Sequence, residues 1–230
     1  MGGSGFQARR ILPARRLALF LVAGALVFAL PAAADPLLQE AHGVVVDWRH
    51  GTVTARGVAA ADWRMPSADV ARAGAERRAR SEGRNHLAET LRGLPLGGGR
   101  RLDEAGIARA VDRARTQHVE YQSNGGVTLE LVVGFGDWDE PGDAGPAAEV
   151  APLALRLSEG SLAAAPRVLI GETEVALGPV SYATSGELAA DVRPIAVRAD
   201  KKGRLVADGK LAPDELAHRR AVIYVQKIQR

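Results

Sequence analysis

The first thirty-four residues constrain the fold most, because their pattern predicts that they are removed before the rest of the chain folds. Four arginines lie between positions 9 and 16, without any acidic residue. An uncharged apolar run of fourteen residues follows at 17–30, and positions 32–34 are all alanine. This order is typical of a secretory signal peptide. We therefore expect residues 1–34 to be a signal peptide and the mature chain to begin at Asp35; an uncleaved anchor in the inner membrane is the alternative.

The chain contains no cysteine, which removes several classes of exported protein from consideration. No disulfide can form, no thiolate can act as a nucleophile or metal ligand, and no lipidated cysteine can anchor the chain.

The formal charge is +3, and loss of the four leader arginines leaves residues 35–230 with one net negative charge. A nearly neutral chain gives no electrostatic reason to expect nucleic acid as a partner. We expect a periplasmic or outer-membrane-associated protein with no transmembrane span in its mature part.

Two hairpins frame a predicted first module, residues 35–136. Val44–Trp48 and Thr52–Gly57 alternate around a short glycine-containing turn, as the strands of a hairpin do. A second hairpin is predicted around Asn124-Gly125, which is the strongest short hairpin signal. The preceding residues, 35–42, are predicted to be a short helix or coil.

Between the hairpins the pattern predicts two helices. Ser67 is a suitable N-cap for a helix over 68–91. Small and apolar residues recur every four positions along this helix, so that its backbone can lie close to a sheet. A shorter helix is predicted over 102–115, after a flexible glycine-rich loop at 96–101. Helices between antiparallel hairpins favour an α+β fold.

Residues 137–150 are predicted to be a linker, because they are acidic, rich in proline, glycine and alanine, and without periodicity. The residues after them, 151–230, are predicted to form a smaller, β-rich module with one or two short helices. Its strands are predicted at 153–158, 167–170, 172–177, 195–198, 205–207 and 221–225, and a helix at 213–220.

The sequence contains no recognised metal-ligand pattern. The histidines are not arranged as H-E-x-x-H or H-x-H, so we predict no metal site and no metal ligands. The acidic residues at 137–143 miss the calcium-binding loop pattern, since Pro141 and Ala148 stand where ligands are required. Weak calcium binding is the alternative to a solvated linker there. The histidines are His42, His50, His86, His118 and His218.

Neither the glycine-rich segments nor the serines match a known nucleotide-binding or nucleophile motif. Gly97–Arg101 lacks the lysine and the strand–loop–helix context of a phosphate-binding loop, and is predicted to be a hinge. Gly134-Phe135-Gly136 does not continue as a dinucleotide-binding fingerprint, because position 139 is aspartate. No G-x-S-x-G motif is present. We predict no catalytic residue and no cofactor.

Two groups of side chains are candidates for surface contacts. The arginines of the long helix are predicted to form a solvated face paired with Glu76, Glu82 and Glu89; contact with anionic lipid or polymer is the alternative. Five aromatic residues near the hairpin ends are predicted to pack in the core or along hairpin edges, with a ligand platform as the alternative. The arginines are Arg72, Arg77, Arg78, Arg80, Arg84 and Arg92, and the aromatics are Trp48, Trp63, Tyr121, Phe135 and Trp138.

The opening hairpin at 52–58 and the helix at 71–91 carry a family resemblance. The helix has an A-x-x-x-A-x-x-x-A row and ends in Leu87, Leu91 and Gly93. With the closing hairpin, these features resemble the LPP-twenty type bacterial lipoproteins and the N-terminal domain of flagellar assembly protein T. Residues 166–169 and 221–225 fit the same group more loosely. The family's lipid-carrying cysteine is missing here.

The resemblance implies a non-catalytic envelope protein, in some members tied to flagellar assembly or the cell surface, and it transfers no active-site residue. We therefore expect an exported protein that acts by protein–protein contact, for which exposed strand edges offer docking by strand addition. A motility or surface accessory is one form of this function. A module that binds a cell-wall polymer is the alternative, and a hydrolase with an unrecognised carboxylate pair is the third. The sequence leaves the partner open.

Overall fold

The computed structural model describes residues 35, 37–138, 152–178, 180–207, 212–217 and 219–228, without the side chains of 159, 227 and 228. The predicted signal peptide and most of the predicted linker lie outside these ranges. Residues 35–230 form one compact unit. Its described part contains twelve strands in two sheets and three helices, which confirms the predicted α+β fold. The elements are β1 Leu38–Ala41, β2 Val44–Asp47, β3 Thr52–Ala59, α1 Ala68–Gly93, α2 Glu104–Arg113, β4 Arg115–Tyr121, β5 Val127–Gly134, β6 Leu153–Gly160, β7 Arg167–Ile170, β8 Thr173–Ala176, β9 Val180–Thr184, β10 Ile195–Ala199, β11 Leu205–Ala207, α3 Pro213–Leu216 and β12 Ala221–Ile228.

The first sheet has the strand order β1-β2-β3-β5-β4, with every neighbouring pair antiparallel. Both predicted hairpins form, and a third one joins β1 to β2 through a two-residue turn at His42 and Gly43. The prediction of a short helix or coil over 35–42 was therefore wrong for 38–41. These residues lack an alternating apolar pattern, and pairing with β2 makes them a strand.

Helix α1 covers one face of this sheet, where the side chains of β3 and β5 are buried. Ser67 caps the helix as predicted, because its side chain accepts a hydrogen bond from the Val70 N–H at 3.3 Å. The closest approach is at Gly57, where a Cβ atom would lie 1.9 Å from the Ala79 carbonyl oxygen and 2.8 Å from the Gly83 nitrogen. The small residues predicted to face a sheet thus allow the two backbones to touch.

The second half of β3 extends past the end of β2, and α1 supplies hydrogen bonds to this uncovered strand. The Val58 N–H donates to the Glu82 carboxylate at 2.7 Å. The Nδ1 atom of His86 lies 3.0 Å from the Arg56 carbonyl oxygen. Glu82 therefore binds strand backbone rather than pairing with a helix arginine, and the position of His86 is explained without a ligand.

The second sheet is mixed, with the order β8-β7-β11-β10-β6-β12-β9. β12 lies between β6 and β9 and is parallel to both. Side by side on one face, Leu155, Ile223 and Tyr182 are buried. β9 was not predicted from the sequence. The helix predicted at 213–220 is only the single turn α3.

Aromatic side chains join the two sheets. Trp48 follows β2, and its ring centroid lies 5.4 Å from that of Phe135 and 5.9 Å from that of Tyr182, both edge-to-face. Trp138 packs on Phe135 with centroids 5.6 Å apart. The Tyr182 N–H also donates to the Trp48 carbonyl oxygen at 3.2 Å. One hydrophobic cluster consequently runs through both sheets.

The glycine-rich loop at 96–101 is a closed turn in contact with the second sheet. Its three glycines all have positive φ, which costs glycine little because it lacks a Cβ. The Arg100 N–H donates to the Gly97 oxygen at 3.2 Å. The Arg100 guanidinium donates to the Ala165 oxygen at 2.8 Å. The loop predicted to be a hinge is thus a turn that Arg100 connects to the segment before β7.

Candidate functional site

Strand β1 is an exposed edge of the first sheet. It pairs with β2 on one side only, and all four of its residues are exposed. Leu38 is 46% exposed although it is a large apolar residue. An edge strand presents unpaired N–H and C=O groups that can pair with another extended chain.

The geometry of the β1–β2 turn determines which backbone groups remain unpaired. His42 and Gly43 both have positive φ, at 51° and 76°, as a type I′ turn requires. In such a hairpin the flanking residues Ala41 and Val44 form a hydrogen-bonded pair, and the pattern alternates from there. Glu40 is then in a non-hydrogen-bonded pair with Val45. Its N–H and C=O consequently point away from β2, toward an incoming strand.

A groove of about 200 Å³ adjoins this edge. The inward-facing side of β1 and β2 forms one wall, and the C-terminal end of α1 forms the other. The wall residues are predominantly apolar, which suits a side chain of an added strand. The groove is lined by Gln39, Ala41, Val44, Val46, Trp48, Thr90, Gly93, Leu94 and Pro95.

Polar groups beside the groove are few. Trp48 is 1% exposed, and its indole Nε1 has no hydrogen-bond partner among the residues that the structure describes. Buried indole N–H groups are normally paired. Gln39 and Thr90 supply the other side-chain polar groups of the lining. The groove therefore combines apolar walls with a few groups able to form hydrogen bonds.

Charged residues flank the turn between β2 and β3, near Trp48. Partial burial acts to raise the pKa of Asp47, but hydrogen bonds from His50 outweigh it and the pKa is lowered. The His50 Nδ1 lies 2.6 Å from the Asp47 Oδ2. Arg49 donates to Glu187 at 2.5 Å, and this hydrogen bond lowers the pKa of the Glu187 carboxyl. These contacts tie the turn to itself and to the second sheet.

The histidines that the structure describes lie apart. His42 occupies the β1–β2 turn, His50 the β2–β3 turn, His86 the helix α1 and His118 the exposed edge strand β4. His218 falls outside the described residues. Across the described part of the chain, no three His, Asp or Glu side chains are grouped as metal ligands. Each Asp and Glu whose side chain is described is at least partly exposed.

One arginine of α1 pairs at helical spacing as predicted, and others bind neighbouring segments. Within the helix the described residues give one ion pair, Arg80 with Glu76 at 3.1 Å. Arg92 binds Glu104 of α2 at 3.0 Å. Arg78 donates to the Ala60 carbonyl oxygen at 2.7 Å. Arg78 and Arg92 therefore connect α1 to neighbouring segments.

The aromatic residues near the hairpin ends fall into two groups. Trp48, Phe135 and Trp138 are buried, as predicted for core packing. Trp63 is 80% exposed and Tyr121 is 52% exposed, so the prediction of packing was wrong for Trp63. The sequence does not separate these residues, because all five lie at or near the end of a strand.

The sequence matches no family model and no curated protein. Among the helices of the described residues, none has the length and apolar character required to span a membrane.

Proposed function

We propose that this protein is a non-catalytic, exported component of the bacterial envelope that acts by protein–protein contact. The partner adds an extended segment to the edge of β1 and places one side chain in the adjoining groove. Export is supported by the leader pattern at 1–34. The envelope role is supported by the resemblance to the LPP-twenty type lipoproteins and flagellar assembly protein T, among which a motility or surface accessory is one form.

The observation that carries this proposal is the exposed strand beside an apolar groove. Natural proteins normally protect edge strands with charge, proline, bulges or a covering segment. β4, at the opposite edge of the same sheet, carries charged residues and a register shift between Thr116 and His118. β1 has one charged residue, Glu40, and a regular register. The two edges differ in the way expected if β1 is used for binding.

The test is site-specific crosslinking in intact cells. A photo-crosslinking amino acid replaces Gln39, which lines the groove, and in a second strain it replaces Glu172, which is exposed in the β7–β8 turn. We expect one defined protein adduct from position 39 and none from position 172. Glu40→Pro in the first strain removes the outward N–H and abolishes the adduct, whereas Glu40→Gln keeps the N–H and the adduct.

Identical adducts from positions 39 and 172, or an adduct that survives Glu40→Pro, would contradict docking at β1.

The exported form is tested separately by sequencing the N-terminus of the envelope-fraction protein. We expect it to begin at Asp35. An intact Met1 in that fraction would favour the anchored form, and a cytosolic location would exclude the envelope role.

A further inference from the structure

Exposed apolar side chains are concentrated at one end of the first sheet. Six large apolar residues are exposed in the described part of the chain, and only Leu38 lies on β1. The others lie where β3 leads into α1 and where β4 turns into β5. Large exposed apolar patches mark interaction sites. These five residues are Val58 at 47%, Trp63 at 80%, Met65 at 39%, Val70 at 44% and Tyr121 at 52% exposure.

The segments that carry these residues contact one another. A Cβ atom on Gly125, in the β4–β5 turn, would lie 2.9 Å from the Ala61 Cβ, in the loop before α1. The Tyr121 hydroxyl donates to the Glu76 carboxylate of α1 at 3.1 Å. Every residue from 63 to 70 is exposed. Trp63, Met65, Val70 and Tyr121 therefore lie at the same end of the first sheet, and we name this group of exposed residues the Trp63 patch.

Basic residues outnumber acidic residues in the segment that carries most of the patch. Positions 60–80 contain five arginines and three acidic residues, and the 121–126 turn is uncharged. Of the acids, Glu76 is paired with Arg80, Asp62 accepts the Arg64 backbone N–H at 3.0 Å, and Asp69 lies in the first turn of α1.

Three arginines in this segment can contact an anionic surface without first breaking an ion pair. In the described part of the chain, Arg64, Arg72 and Arg77 form no ion pair. The Arg72 guanidinium lies 5.8 Å from the centre of the Tyr121 ring. The net charge around the exposed apolar residues is consequently positive.

We propose that the Trp63 patch docks on an anionic phospholipid surface. Tryptophan and tyrosine favour the boundary between lipid headgroups and acyl chains, and nearby arginines contact anionic headgroups. Protein and sugar sites usually enclose an anchoring ring in a pocket. Trp63 is open on most of its surface, and a bilayer accepts such a side chain without a preformed pocket.

Vesicle binding of residues 35–230, which contain the whole hydrophobic core, tests this proposal. The vesicles contain about a quarter phosphatidylglycerol, with phosphatidylcholine as the remainder. Trp48 and Trp138 are 1% and 3% exposed, so emission changes report on Trp63. We expect co-sedimentation, a blue shift of the emission and protection from acrylamide quenching. Vesicles of phosphatidylcholine alone are expected to bind more weakly.

Matched variants separate the patch from the rest of the surface. Trp63→Ala removes most of the apolar contact and is expected to weaken binding at least ~tenfold. Arg64→Gln and Arg77→Gln are each expected to weaken it about fivefold at low salt. The controls are Leu38→Ala, on β1, and Arg193→Gln, an exposed arginine in the loop before β10. Both are expected to bind as the wild type does.

Because Trp63 is exposed, its variant is expected to unfold at the wild-type temperature, so loss of binding is not loss of fold. Vesicle binding that is unchanged in Trp63→Ala would overturn the proposal, as would equal losses in Leu38→Ala. Binding to purified cell-wall sacculi that depends on Trp63, without vesicle binding, would also overturn it and would instead identify a polymer-binding surface. Crosslinking at β1 is unaffected by any of these results.

Discussion

Replacing Gly57 by alanine tests the close approach of β3 to α1. The new Cβ would lie 1.9 Å from the Ala79 carbonyl oxygen and 2.8 Å from the Gly83 nitrogen. An ordinary contact between such atoms is roughly 3.5 Å, so α1 must move from β3 by about 1.5 Å. Both obstacles are backbone atoms in the middle of a helix of 26 residues, and no side-chain rotation can relieve the clash.

The expected cost follows from this geometry. Overpacking in a core typically costs ~1–3 kcal/mol, and a backbone obstacle places this substitution at the upper end or beyond. A movement of α1 also loosens Leu87 and Leu91, which are fully buried. A loss of about 3 kcal/mol is a large part of the ~5–15 kcal/mol that stabilises a typical domain. For a unit of this size it corresponds to a decrease of ~6–12 °C in the unfolding temperature.

The assay is equilibrium unfolding in urea, followed by tryptophan fluorescence, with two other glycines of α1 as matched controls. At Gly93 a Cβ would have no neighbour within 4 Å, so alanine is expected to change the free energy of unfolding by less than about 0.5 kcal/mol. At Gly83 the Cβ would meet the Leu131 side chain at 3.2 Å. That side chain can yield, and the ~1 kcal/mol helix preference of alanine offsets part of the cost. If Gly57→Ala unfolds at the same urea concentration as Gly93→Ala, then α1 and β3 are not too close together to accept a Cβ at position 57, and the reasoning is wrong.

Two further substitutions test the contacts around the second sheet. Tyr182→Phe removes a buried hydroxyl that donates to the Ala163 oxygen at 2.7 Å and accepts from the Ala163 N–H at 3.0 Å. Because both backbone groups lose a buried partner, calorimetry is expected to show a decrease of ~1–3 kcal/mol in the free energy of unfolding. Burial also raises the pKa of Tyr182, so this tyrosine is expected to remain protonated in alkaline solutions that ionise exposed tyrosines, as ultraviolet absorbance would show. The hydrogen bond from Arg49 lowers the pKa of Glu187. The stability that the ionised Glu187 carboxylate contributes is therefore complete above the ordinary glutamate pKa of about 4.3, and it is lost as the pH falls through the lowered folded-state pKa. Thermal unfolding of Glu187→Gln is therefore expected to differ from wild type at neutral pH and to converge with it in acid; a constant difference would refute this role for Glu187.

Local patterns predicted the elements of the first sheet because their signals lie within single segments. The capping residue Ser67 and the recurring alanines define α1, and Asn124-Gly125 defines the β4–β5 turn. β1 was not predicted, since Leu38–Ala41 carries no alternation and becomes a strand through its partner.

The second sheet shows a different limit of sequence reasoning. Most of its strands were located, but β9 was missed, and its partner β12 lies some forty residues further along the chain. A parallel pairing between such distant segments leaves no mark in either segment alone. The contact of Trp48 with Tyr182 has the same origin, so neither the aromatic junction nor the different exposures of Trp48 and Trp63 could be predicted.

The position of β12 has a consequence for how such a polypeptide is made. Ala221–Ile228 inserts between two strands synthesised much earlier, and it holds β9, the strand that meets Trp48. Until these late residues leave the ribosome, β6 lacks its neighbour on one side and β9 has no partner strand in the second sheet. For a chain exported as we propose, this order of synthesis would delay completion of the second sheet until translation has nearly finished, so that the chain could pass a secretion channel before it folds.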